Sequence, residues 1–150
     1  MITVKITKNA LETEKAGEEL ARLLKPQDVV FLIGNLGSGK TTFVKGLARG
    51  LGIVSRIISP TFVVVRQHTL PSTNYQILDG KVSTLYHLDL YRLQNTQEAL
   101  SVDMKDYLDD KNAIVAIEWP ELSQNIVNKK VWKVKIDVKN EMREISMSYE

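Results

Sequence analysis

The stretch "GNLGSGKTT", residues 34–42, holds three glycines, one lysine and three hydroxyl side chains in nine positions. Residues 34–41 fit G-x-x-x-x-G-K-[ST] in full, with Gly34, Gly39, Lys40 and Thr41 at the fixed places. Each residue type has a physical reason. Several consecutive backbone N–H groups must turn inward to wrap a phosphate, and glycine allows both the dihedrals and the close approach. A helix that starts at the lysine points its unpaired N–H groups and its dipole at the same anion. Lys40 supplies a charge for the β- and γ-phosphates, and the Thr41 hydroxyl is a ligand for Mg²⁺. The pattern predicts nucleotide binding.

Such a loop works with an acid at the end of a neighbouring strand, which holds the metal or positions water. Two stretches offer one. In "YHLDLYR", strand alternation puts His87, Asp89 and Tyr91 on one face and Leu88 and Leu90 on the other. A histidine and a carboxylate on one face of an apolar strand are costly to bury without partners. The same spacing also suits a structural pair or a solvent-facing row. In "AIVAIEWPE", Glu118 ends a wholly apolar run, the place of a Walker B acid, although an ordinary strand-end acid reads the same way. Trp119 beside it suits core packing as well as a site. "SPTF", residues 59–62, joins a hydroxyl to a proline-restricted turn and suits a loop near the γ-phosphate. His68 reads as a surface residue of its strand. Lys129, Lys130, Lys133, Lys135 and Lys139 alternate with apolar residues and read as a solvated hairpin face.

Positioning these residues requires alternating strands and helices. "ITVKIT" (2–7) alternates as a strand. Asn9 and Glu12 form a capping box for a helix with Ala16, Leu20, Leu23 and Leu24 on one face, which stops at Pro26. "DVVFLI" (28–33) is apolar on both faces and reads as a central parallel strand. Phe43, Val44, Leu47, Ala48 and Leu51 recur at helical spacing, with Gly52 to close the helix. A strand of about eight residues is expected from Thr61, after Pro60. "PSTNYQILDG" reads as a loop and "STLYHLDLYRL" as a strand. "TQEALSVDMKDYLDD" reads as helix in two pieces, "NAIVAIE" as a buried strand, and "VWKVKIDVKNEMREISMSY" as a hairpin turning near Asn140. This mixture predicts an α/β three-layer sandwich around a central mixed β-sheet.

Composition narrows the class. At 150 residues the chain suits a single domain, residues 1–150. A net charge of +2 is too small to argue for strong independent nucleic-acid binding. Cysteine is absent, which excludes disulfides and thiolate metal sites, and two histidines alone make a poor zinc site. No apolar run approaches the roughly 20 residues that span a bilayer, and "MITVKITKN" lacks an apolar signal core. A soluble, intracellular protein without membrane contact is expected.

"GNLGSGKTT", "SPTF", "HLDLYRL" and "EWPE" in this order resemble the TsaE (YjeE) family, small P-loop ATPases of bacterial tRNA threonylcarbamoyladenosine synthesis. The likeness runs from the N-terminal strand through Glu118. It implies a P-loop NTPase-like fold, slow hydrolysis of ATP to ADP with Mg²⁺, and work with the TsaB–TsaD heterodimer, with tRNA met only through that complex. Carried over residue by residue, the nucleotide loop comprises Gly34, Asn35, Leu36, Gly37, Ser38, Gly39, Lys40, Thr41 and Thr42, joined by Trp119. The resemblance makes Lys40, Asp89 and Glu118 catalytic and Thr41, Asp89 and Glu118 the metal residues. Ser59, Pro60 and Thr61 match a switch-like loop. Asn35 and Ser38 stand where the family often has Asp and Ala, and "ALSVDMKDYL" lacks a glycine before its helix, with Asp103 near that place. Two other readings share the loop: a small-molecule kinase, for which no arginine-rich lid stands out, and a nucleotide-gated binding module.

Overall fold

The computed structural model describes residues 2–60, 64–71, 82–100 and 103–150. Its sheet has seven strands, β1 (Ile2–Thr7), β2 (Val29–Ile33), β3 (Val65–Thr69), β4 (Thr84–Asp89), β5 (Ala113–Glu118), β6 (Trp132–Lys139) and β7 (Met142–Tyr149). They lie in the order β1-β7-β6-β2-β5-β4-β3. The middle run β6-β2-β5-β4 is parallel, and β1, β7 and β3 are attached antiparallel, so the sheet is mixed. β2 is flanked on both sides by parallel neighbours, as its two-faced apolar sequence predicts.

Alternation along β2 divides the core in two. Val30 and Leu32 face α1 (Ala10–Ala21) and α2 (Lys40–Gly50), packing with Leu20, Phe43 and Leu47. Val29 and Phe31 face the other way, with Ala99 of α3 (Thr96–Leu100) and Met104 and Leu108 of α4 (Met104–Asp109). The result is the expected three-layer α/β sandwich. Among the described residues, no helix is long and apolar enough to cross a membrane.

Local signals mostly hold. Asn9 Oδ1 accepts from the Glu12 amide at 2.9 Å, while Glu12 Oε2 accepts from the Lys8 amide, one residue earlier than a capping box requires. Gly52 closes α2 with φ 83°. Asp103 takes the left-handed conformation, φ 52°, at the start of α4, where a glycine was expected. The hairpin turns at Asn140 and Glu141, both at positive φ. Its lysines lie on the surface, with pairs such as Lys133–Glu150 and Lys139–Glu144.

Three expectations change. α1 ends at Ala21 rather than running to Pro26, because the amides of Leu23 and Leu24 reach back only three residues, to Leu20 and Ala21. Leu23 is therefore exposed, while Ala16, Leu20 and Leu24 are buried. The strand after Pro60 is the five residues of β3; residues 61–63 and most of the loop read at 71–80 lie outside the described residues. His68 is half-buried, its Nε2 covered and unbonded among the described residues, and burial lowers its pKa.

Candidate functional site

The carboxyl end of β2 opens into the loop at Gly34, and α2 begins at Lys40. Gly37 and Gly39 hold φ of 77° and 109°, a region that penalises other side chains. Gly34 is required by space instead: a Cβ there would lie 2.5 Å from Ser38 Oγ and 2.6 Å from the Ile136 carbonyl oxygen. Gly39 offers no side chain to cap α2, so the first amides of the helix have no partner from that residue. Ser38 Oγ is buried with no hydrogen-bond partner among the described residues. Such an orphan hydroxyl, beside uncapped amides in a glycine cradle, suits a ligand rich in oxygen acceptors.

Lys40 is 5% exposed. Its Nζ donates to the carbonyls of Gly34 at 2.8 Å and Asn35 at 3.0 Å, and lies 4.3 Å from the centre of the Trp119 ring. Burial lowers its pKa, opposed by the charges of Glu118, Asp89 and Glu121.

β4 and β5 run side by side, with Asp89 opposite Glu118, so both acids end adjacent parallel strands. Both are 3% exposed, which removes the solvent-facing row as a reading of His87 and Asp89. Glu118 Oε1 accepts from Thr41 Oγ1 at 2.9 Å and lies 2.8 Å from His87 Nε2. Asp89 Oδ1 accepts from the Tyr91 amide at 3.0 Å, and its charge acts on Lys40. Trp119 stands at φ 56°, ψ 61° before Pro120, a costly conformation for a bulky residue, and its ring packs on Tyr91 at 4.9 Å.

The fold thus gathers Lys40, Thr41, Glu118 and Trp119 in direct contact and brings Asp89 alongside by register. Thr42 lies in the first turn of α2. Asn35, Leu36, Gly37 and Ser38 instead line a cavity of about 590 Å³ shared with the β6–β7 hairpin, and Leu36 is 73% exposed. Ser59 and Pro60 precede the described β3, while Thr61 lies outside the described residues. Among the described residues, no group of three or more His, Cys, Asp or Glu could hold a metal ion; any cation here would rely on a hydroxyl as well.

Arg143 was not anticipated. It donates through Nε to the Ser38 carbonyl at 3.4 Å, from a position where alternation along β7 was the sole signal. Nor was Tyr91 singled out as the partner of Trp119, although its place two residues after Asp89 was visible.

Residues 7–145 match the model of the family described as "Threonylcarbamoyl adenosine biosynthesis protein TsaE". A relative from Synechocystis sp., a tRNA threonylcarbamoyladenosine biosynthesis protein TsaE, is 42% identical over 73% of this chain. One of the same name from Bacillus subtilis is 39% identical over 77% of it. These matches span 64% and 65% of the relatives' own lengths, a little under two thirds. A TsaE from Streptomyces coelicolor is 34% identical over 88% of this chain and 86% of its own. The crystal structure of Bacillus subtilis YdiB superposes with a TM-score of 0.77 at 28% identity, covering 99% of this chain and 86% of that one. With the family match running almost from end to end, the chain belongs to the TsaE family.

Proposed function

We propose that this protein binds ATP with Mg²⁺ at residues 34–42 and hydrolyses it slowly, supporting the TsaB–TsaD heterodimer in threonylcarbamoyladenosine modification of tRNA. It acts in the cytoplasm and meets tRNA through that complex. The observation that carries the reading is the 2.9 Å bond from Thr41 Oγ1 to Glu118 Oε1. It joins the residue after the loop lysine to the acid that ends a strand parallel to β2. Family membership supplies the pathway.

The residues fit a hard divalent cation, since the Thr41 hydroxyl and the carboxylates of Asp89 and Glu118 are oxygen donors. Bound there, Mg²⁺ would neutralise charge on the β- and γ-phosphate oxygens. Asp89 serves chiefly the metal, and Glu118 the metal or the attacking water. Lys40 exchanges the Gly34 and Asn35 carbonyls for phosphate oxygens, and the loop amides stabilise charge that develops on transfer to water. Trp119 covers Lys40 and keeps water from the ammonium until the nucleotide arrives.

The test is phosphate release from Mg-ATP by the purified protein, alone and with TsaB–TsaD. Release that requires the protein and changes with the heterodimer supports the reading. No release in either condition favours a nucleotide-gated binding module, and phosphate found on an acceptor favours a kinase.

A further inference from the structure

His87 has no exposed surface. The register sets it beside Ala116 on β5 and Arg66 on β3, on the sheet face it shares with Glu118. Its Nε2 lies 2.8 Å from Glu118 Oε1, while its buried Nδ1 has no hydrogen-bond partner among the described residues. Burying an imidazole with one nitrogen unpaired costs stability that an apolar side chain would not. Sheet packing therefore gives no reason for a histidine at this position, and the bond to Glu118 does.

Glu118 Oε1 takes two contacts, from His87 Nε2 and Thr41 Oγ1, and no hydrogen bond reaches Oε2 among the described residues. The last torsion of a glutamate is soft and roughly two-fold, so an unheld carboxylate samples many orientations. A donor carried on a buried central strand removes that freedom. With Oε1 held, the Thr41 hydroxyl spends its proton on Glu118, which leaves its lone pairs for a cation. We propose that His87 is a positioning residue that clamps Glu118 and, through it, orients Thr41 for metal. The ionised carboxylate only accepts, so Nε2 is the donor in this bond. Partners that orient ligands from behind tune metal affinity in this way. The inference rests on the reading that Mg²⁺ and nucleotide bind here.

The experiment is calorimetric titration of ADP into the full chain, with and without Mg²⁺; the ratio of the two affinities is the readout. Three variants separate a clamp from a filler. H87Q keeps a donor near the Nε2 position, H87N moves it back toward Nδ1, and H87L removes it while suiting an apolar strand. The affinity gained from Mg²⁺ should fall by about 10-fold in H87N and H87L and stay within about threefold of wild type in H87Q. Metal-free ADP affinity should not change, because Lys40 and the loop amides hold the phosphates. Retention of the gain in H87N or H87L overturns the proposal, as does its loss in H87Q. Should H87N not fold, H87L carries the same prediction, and failure of both to fold makes His87 structural and overturns it. A wild type that binds ADP without regard to Mg²⁺ sinks the metal reading itself. One that binds no ADP sinks the nucleotide reading, and in either case the clamp falls with it.

Discussion

The two faces of the sheet are packed by different means. On one, α1 and α2 cross backbone to backbone. A Cβ at Gly46 would stand 2.6 Å from Glu14 Cα and closer still to its carbonyl, and one at Gly17 would stand 2.7 Å from the Leu47 amide nitrogen. On the other, α3 and α4 have only five and six residues, and ring pairs sit against the aliphatic core: Tyr86 packs on Tyr107 at 4.6 Å, and Trp119 on Tyr91 at 4.9 Å. A backbone contact cannot yield without separating the helices, whereas an aromatic pair re-packs for about 1 kcal/mol. The first face holds α2 against α1 through their backbones, directly after the glycine-rich loop. The second carries Trp119, the ring that covers Lys40, on packing that can give.

The hardest blow to this contrast falls on the rigid face. Gly46→Ala should destabilise the protein by about 3 kcal/mol or more, since backbone rather than a flexible side chain meets the new methyl. Urea unfolding followed by circular dichroism measures it. A loss below about 1 kcal/mol would mean that the crossing is loose and the two faces alike.

Next comes the chemistry that the rigid face presents. If the proposed function holds, Lys40→Ala should lower ATP turnover by at least about 100-fold while the helix pair stays folded, because the ammonium proposed to meet developing charge is lost. Unchanged binding and turnover would remove the phosphate-loop reading. Glu118→Ala and Asp89→Ala should each cost about 10-fold to 100-fold in phosphate release, more than they cost in folding. Glu118→Ala should be the worse of the two, since it also strands Thr41 and His87. Full activity in both variants would mean that the acids are structural.

The candidate site stands out in the sequence for a physical reason: a loop that is to wrap a phosphate demands particular residue types at fixed spacing, and Gly34, Gly39, Lys40 and Thr41 carry that pattern. The apolar run of β2 declared a central strand, and Asn140 declared a turn. Other features depend on pairings that no local pattern carries. Gly17 and Gly46 each cost helix propensity of about 1 kcal/mol, and only the crossing of α1 and α2 explains them. Alternation put His87 and Asp89 on one face, but the partner of His87 sits 31 residues away, on a neighbouring strand whose register the sequence does not show. The end of α1 was misjudged because Pro26 is the obvious stop signal, while the chain leaves the helix earlier through three-residue turns.

The smallest effect sharpens the contrast from the yielding face. Tyr86 donates its hydroxyl to Asp110 Oδ2 at 3.1 Å while its ring packs on Tyr107. Burial, then the bond and charge of Asp110, raise the Tyr86 pKa above its ordinary value of 10.0. The unfolded chain therefore gives up this proton first. Stability from the protonated hydroxyl is full below pH 10 and is lost as pH climbs through the raised value. Tyr86→Phe keeps the ring contact and removes the hydroxyl, so it should cost about 1 kcal/mol at neutral pH. That difference from wild type should shrink as pH rises past 10, which paired urea titrations at neutral and alkaline pH would read. A difference independent of pH would mean that the Asp110 bond contributes nothing and that the Tyr86 hydroxyl acts here through packing alone.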